Sequence, residues 1–250
     1  MTGLIAFGLA LFGALALALY GLRYRNKPFD LRTMPVFQSL TDEVGRVAEE
    51  GATIHIALGK GGLLSEDALT SIATLQGLRA LIDLAAAYDT PPLITTGEPT
   101  LYLMTRDWMR RAYVRIGNAA QFRPVFVQYT AASPAVYAAM AATYMFDGTI
   151  GSNVMIGTFD EEVSLLADAA HRRGIESMGG SVSPQGLGAL YPALDKEQLV
   201  MGEDLFAGSA VASTHSTYQT SLRVQETLRW LVIVSIIIIS VMSILNVGGL

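Results

Sequence analysis

The sequence predicts an α/β chain: a Rossmann-like parallel sheet of about six strands, flanked by one transmembrane helix at each end. Three observations predict it. Between Thr53 and Ser213, short apolar runs rich in β-branched residues alternate with longer helical stretches. Gly3–Leu22, GLIAFGLALFGALALALYGL, is an uncharged run of about twenty residues. Trp230–Asn246, WLVIVSIIIISVMSILN, is a second uncharged run, which Val247 to Leu250 extend. The chain then divides into a first span (1–22), a juxtamembrane connector with a short helix (23–52), the Rossmann-like domain (53–213), a linker or stalk (214–229) and a second span (230–250).

At 1.5 Å per helical residue, the first run is long enough to cross a bilayer. A cleaved signal peptide ending at Ala16-Leu17-Ala18 is the alternative. The lack of a basic residue before the run, and Arg23, Arg25, Lys27 and Arg32 after it, oppose that alternative. Lys and Arg flanking a span stay on the cytoplasmic side, and Arg223 and Arg229 precede the second run. The expectation is two spans in an inner membrane, both termini outside and the main domain cytoplasmic. Ala6, Ala10, Ala14 and Ala18 recur every four residues and line one helix face with small side chains, which suits close helix packing within the chain or between subunits. The expected partners are the lipid bilayer and either further copies of the chain or other membrane proteins.

Arg23–Thr41 reads as an irregular basic connector interrupted by Pro28 and Pro35, followed by a short amphipathic helix at Asp42–Glu50 that Gly51 ends. Six strand–helix pairs follow: Thr53–Leu58 with Ser65–Tyr88, Pro92–Thr96 with Pro99–Ile116, Pro124–Tyr129 with Pro134–Phe146. The remaining three are Asn153–Gly157 with Asp160–Arg173, Glu176–Val182 with Pro184–Leu190, and Gln198–Met201 with Glu203–Ser213. Cap signals support the helix starts. Thr158 and Glu161 have capping-box spacing, and Ser133-Pro134 and Ser183-Pro184 each set a cap residue before a proline at the first helical position. His171-Arg172-Arg173-Gly174 reads as a helix finish, with cations at the negative end of the dipole and glycine in the turn.

Composition excludes several functions. With no cysteine there is no disulfide, thiol catalysis or thiolate metal site. A net charge of -5 and only three lysines, Lys27, Lys60 and Lys196, argue against nucleic acid as a partner. His55 lies inside an apolar strand and His215 in the linker, without the partner spacing of a metal site, so no metal is expected.

In an open parallel sheet, ligands bind beyond the carboxyl ends of the strands. The first such end, Gly59-Lys60-Gly61-Gly62, and the fourth, Gly157 and Thr158, are the candidate ligand-binding residues. A glycine-rich turn can offer backbone N–H groups to a phosphate. Here the third glycine of the dinucleotide pattern is missing, as is the Walker GK[ST] ending, so no cofactor is assigned and a nucleotide is only the ligand such a loop would take. Glu98, Asp160, Glu161, Glu162, Glu203 and Asp204 make the rim acidic, which helix dipoles alone account for. A 3-2-1-4-5-6 strand order would bring the first and fourth loops together, whereas exchanging the first strands would bring Lys60 nearer Ser133.

Two resemblances add to this reading. ASPAVYAAMAA at Ala132–Ala142 and GTIGS at Gly148–Ser152 resemble locally the serine segment of membrane-bound signal peptide peptidases. That resemblance implies Ser133 as a nucleophile activated by Lys60. It departs where Pro134-Ala135 replaces the family's paired glycines, and Ser133 also reads as an ordinary N-cap. FQSLTDEVGRVAEEG at Phe37–Gly51, SNVMIG at Ser152–Gly157 and GEDLFA at Gly202–Ala207 resemble a bacterial membrane family, domain of unknown function 6754. This second resemblance implies a bacterial, membrane-anchored protein with a Rossmann-like middle and transfers no catalytic residue.

The sequence therefore leads first to a non-catalytic, membrane-anchored assembly or scaffold protein within an oligomeric complex. A small-ligand sensor at the strand-end crevice is the alternative, and a Ser133/Lys60 hydrolase the third reading.

Overall fold

The computed structural model describes residues 35–202, 204–206, 208, 229, 230, 232 and 233. Helix α1 (Pro35–Glu49) leads into strand β1 (Thr53–Gly59), followed by α2 (Ala68–Ala87), β2 (Leu93–Thr96), α3 (Pro99–Arg115) and β3 (Val127–Tyr129). The chain continues through α4 (Pro134–Thr143), β4 (Ile150–Thr158), α5 (Val163–Arg172), β5 (Glu176–Ser181), α6 (Pro184–Leu190) and β6 (Leu199–Met201). All neighbouring strands pair in parallel, in the order β3-β2-β1-β4-β5-β6. The α/β class and the six-stranded parallel sheet are thus as the alternation of runs predicts.

The central strands are buried on both faces, which explains their near-continuous apolar sequences. Ile54, Ile56 and Leu58 of β1 join Val154 and Ile156 of β4 in a core with α1, α2 and α3. Ala57 and Met155 point the other way, against Tyr137, Ala138 and Ala141 of α4 and Val163 and Leu166 of α5. Each fully buried aliphatic side chain contributes roughly 1.5–3 kcal/mol.

Helix α1 begins well before the expected Asp42, inside the stretch read as an irregular connector. Pro35 occupies its first turn, where the missing N–H would have no helical partner anyway. Val36, Phe37, Leu40, Val44 and Val47 form its buried stripe. Contacts with α2, β1 and β4 place α1 on the face that the helices following β4 leave uncovered. Gly51 ends it at φ 67°, a left-handed turn suited to glycine.

Other boundaries shift for local reasons. Pro124 cannot donate to a sheet ladder, so residues 124–126 form a 3-10 turn and β3 keeps only Val127–Tyr129. Helix α5 starts at Val163 behind Glu162, and Thr158 ends β4 instead of capping the helix. The expected Thr158–Glu161 capping box is therefore corrected.

Among the described residues, no helix is long and apolar enough to cross a membrane. The longest among them, α2 with 20 residues, carries Gln76, Arg79 and Asp83 within its apolar sequence. This overturns the expected two-span placement in a bacterial inner membrane with a cytoplasmic domain. Gly3–Leu22, with Ala6, Ala10, Ala14 and Ala18, lies outside the described residues. Of the second run only Trp230, Val232 and Ile233 are described, all helical and exposed.

Candidate functional site: the switch point between β1 and β4

The helix after β1 packs on one face of the sheet and the helix after β4 on the other, so the two strand-end loops part at the centre of the sheet. The conditional 3-2-1-4-5-6 order is the observed one, and it brings Gly59–Gly62 beside Thr158–Glu162. An irregularity in the β1–β4 ladder shapes this junction. Ala57 pairs with Met155 but Gly59 with Thr158, so β4 carries one extra residue opposite Leu58. Gly157 fills that bulge: a Cβ there would stand 2.1 Å from the Leu58 carbonyl oxygen. Gly59, at φ 74°, would meet the Thr158 carbonyl oxygen at the same 2.1 Å. These two glycines serve the close approach of the two backbones.

Gly61 and Gly62 face different neighbours. A Cβ on Gly61 would lie 2.7 Å from Thr158 Oγ1 and 2.8 Å from Ser71 Oγ, so the two hydroxyls converge beside its bare Cα. Both are buried, and neither makes a hydrogen bond to a described residue. Glu162 is also buried; its Oε2 accepts from the Asp160 N–H at 3.0 Å, while Oε1 has no partner among the described residues. A Cβ on Gly62 would meet Glu98 Cδ at 2.8 Å. The Glu98 carboxylate caps α3 by accepting from the Leu101 N–H at 2.8 Å.

Lys60 pairs with Asp160, and that hydrogen bond, outweighing partial burial, raises its pKa above the ordinary lysine value. Several of the loop's backbone donors are already engaged. The Lys60 N–H donates to the Thr158 carbonyl at 3.0 Å, Gly62 to Ser65 Oγ at 3.3 Å and Leu63 to Thr100 Oγ1 at 3.1 Å. The phosphate-binding geometry that the glycines suggested is therefore largely occupied from within.

Deeper in the same sheet lies a second polar cluster. His55 Nδ1 donates to Asn153 Oδ1 at 2.8 Å, because an amide oxygen only accepts, and Nε2 then accepts from Thr95 Oγ1 at 2.9 Å. Thr95 Oγ1 lies 3.3 Å from the Tyr137 hydroxyl, which accepts from the Gly59 N–H at 3.2 Å. Burial lowers the His55 pKa to about 4 and pushes Tyr137 up to about 12. The chain of bonds thus ends at the first residue of the switch-point loop.

Ser133 stands at the N-cap position of α4 with extended backbone, yet its hydroxyl makes no cap bond. It follows β3, two strands from β1, and Lys60 turns to Asp160 on the β4 side. Among the described residues no hydrogen bond joins Ser133 to Lys60. Gly59, Lys60, Gly61, Gly62, Gly157 and Thr158 do converge, as does the acidic group Asp160–Glu162. Sequence reading missed Ser71 and Tyr137. The signal for Ser71 is its place in the stripe Ser71, Leu75, Leu78, Ile82, where helical spacing puts a hydroxyl on the buried face. Two surface cavities lie elsewhere: about 180 Å³ between α2 and α3, beside Arg79, Trp108 and Arg115, and about 320 Å³ near the start of β5, beside His171 and Glu176. Among the described residues no cluster of acidic and histidine side chains could hold a metal.

Fold and site define a doubly wound α/β domain with its crevice at the crossing of β1 and β4. The chain belongs to the family described as Domain of unknown function (DUF6754), whose model matches residues 4–249. No curated protein and no solved structure matches it.

Proposed function

We propose that this domain is a non-catalytic binding module that takes a small ligand at the switch point between β1 and β4 and acts as a sensor or regulator. One observation carries the reading: Ser71 Oγ, Thr158 Oγ1 and Glu162 Oε1 are buried at that junction without a partner among the described residues. Thr74, Thr105 and Tyr113 also carry such atoms; Thr74 lies one turn beyond Ser71 on α2, and Thr105 and Tyr113 lie on α3. Buried polar groups are ordinarily satisfied, and a ligand that completes their bonding gains specificity from doing so. A bulged ladder beside the crevice is a feature that recurs next to functional sites. A ligand that binds only the folded chain raises its melting temperature. The expected result is a raised midpoint with at least one member of a metabolite library, weakened by Gly61→Ala, whose methyl crowds both hydroxyls at under 3 Å and displaces them. A library without any effect on the midpoint sinks the reading.

An assembly role is the second reading, favoured by apolar side chains along the sheet edge. Val125 and Tyr129 flank or end the edge strand β3, and Val136 and Met140 lie on the adjacent α4, between 41 and 57% exposed. A native mass spectrum distinguishes it: multiples of 26.8 kDa support assembly, and a strictly monomeric species counts against it.

A further inference from the structure

Around the crevice, Asp67, Asp160 and Glu162 act on a single lysine, Lys60, with Glu98 beside Gly62, and Asp160 already holds that lysine. A phosphate would enter a space bordered by the Glu98 carboxylate at Gly62, where the Lys60, Gly62 and Leu63 amides are already bonded. An anion gains little there and is repelled by the rim. The unpartnered group of greatest consequence is Glu162 Oε1, a carboxylate oxygen that can only accept. A carboxylate oxygen calls for a donor, and the strongest match is a charged one. Ser71 and Thr158 supply hydroxyls able to accept as well as donate. An alkylammonium group carries three donors and one positive charge, which fits this set.

We infer that the ligand of the switch-point crevice is a small cationic amine whose ammonium group donates to Glu162, with the Ser71 and Thr158 hydroxyls beside Gly61 completing the polar wall. This rests on the binding reading above and names the chemistry of its ligand. The Lys60–Asp160 pair then has a defined part: it neutralises one carboxylate and so sets how strongly the crevice attracts a cation.

The test is calorimetric titration of the full chain with putrescine, spermidine, lysine and glucosamine, against ATP and NAD as anionic probes, at one ionic strength. At least one amine is expected to bind, about tenfold more weakly to Glu162→Gln because a charge-assisted bond is lost. Lys60→Met gives the opposite sign, since freeing Asp160 tightens a cation severalfold and removing the lysine weakens an anion. Should Glu162→Gln fail to fold, the direction of the Lys60→Met change still decides. Binding of ATP or NAD alone, weakened by Lys60→Met, overturns the amine and leaves the binding module standing. Amine binding that both variants leave unchanged is surface association and overturns the inference. Silence from every probe overturns the amine, and the metabolite library then decides the module separately.

Discussion

Two polar clusters flank the bulge where β1 meets β4, and they are built in opposite ways. In mid-sheet, His55, Asn153, Thr95 and Tyr137 are buried, and each has a hydrogen-bond partner in a chain that ends on the Gly59 N–H. A few residues further along, Ser71, Thr158 and Glu162 are also buried, yet each carries an oxygen without a partner among the described residues. Burying an unpaired polar atom costs roughly 1–3 kcal/mol, so the first cluster is what stable packing produces and the second is not. The difference teaches where to look for function: the satisfied cluster holds the strands in register, and the unsatisfied one sits where the fold opens.

The comparison depends on the bulge that separates the two clusters, and breaking that bulge should have the largest effect. Gly157→Ala forces a methyl to within 2.1 Å of the Leu58 carbonyl oxygen, a backbone atom that cannot rotate away. The expected loss is about 3 kcal/mol or more, read as a lower urea midpoint. An unchanged midpoint would mean that the strands separate easily there, and the junction would not be the rigid frame described.

Next in size is the pH response of the satisfied cluster. His55 is lowered to about 4 in the folded chain by burial, against 6.5 when unfolded. The unfolded chain therefore binds the extra proton first as pH falls. The stability this neutral histidine contributes is complete above pH 6.5, declines between 6.5 and 4, and falls no further below that; the loss is roughly 3 kcal/mol. His55→Gln should be less stable at pH 7 by about 2 kcal/mol and should lack this part of the pH dependence. Parallel stability–pH curves for the two proteins between pH 6.5 and 4 would contradict the assignment.

How much of this was legible beforehand follows from the physics of each feature. Strand–helix alternation is written in side-chain pattern, and the glycine-rich ends of β1 and β4 were visible as a possible crevice. The start of α1 was hidden because Pro28 and Pro35 read as breakers, although a proline in a first turn breaks nothing. Thr158 carries a capping-box spacing that the bulge overrides by keeping it in β4. The polar chain from Asn153 to Tyr137 joins residues from three strands and a helix, and such pairings depend on strand order and register. The histidine in TIHIALG, the threonines in LITT and the asparagine in IGSNVMIGT were the available signals: polar residues in runs otherwise fit for a core.

The smallest effect sharpens the comparison most, because the two clusters predict different signs. Thr95→Val removes a hydroxyl that donates to His55 and meets Tyr137, leaving the buried His55 Nε2 without its donor while Tyr137 keeps the Gly59 N–H, and should cost about 1–2 kcal/mol. Thr158→Val removes a buried hydroxyl that bonds no described residue, at a similar depth and with the same change of shape. It should be neutral or stabilising by up to about 1 kcal/mol, and Ser71→Ala should behave likewise. Paired chemical denaturation of Thr95→Val and Thr158→Val in a ligand-free buffer reads the contrast directly. Equal losses would mean that the Thr158 hydroxyl is satisfied in solution, which would remove the ground for a ligand at the switch point. Opposite signs would mark Thr158 as a residue whose hydroxyl costs the fold stability, as a group kept for binding would.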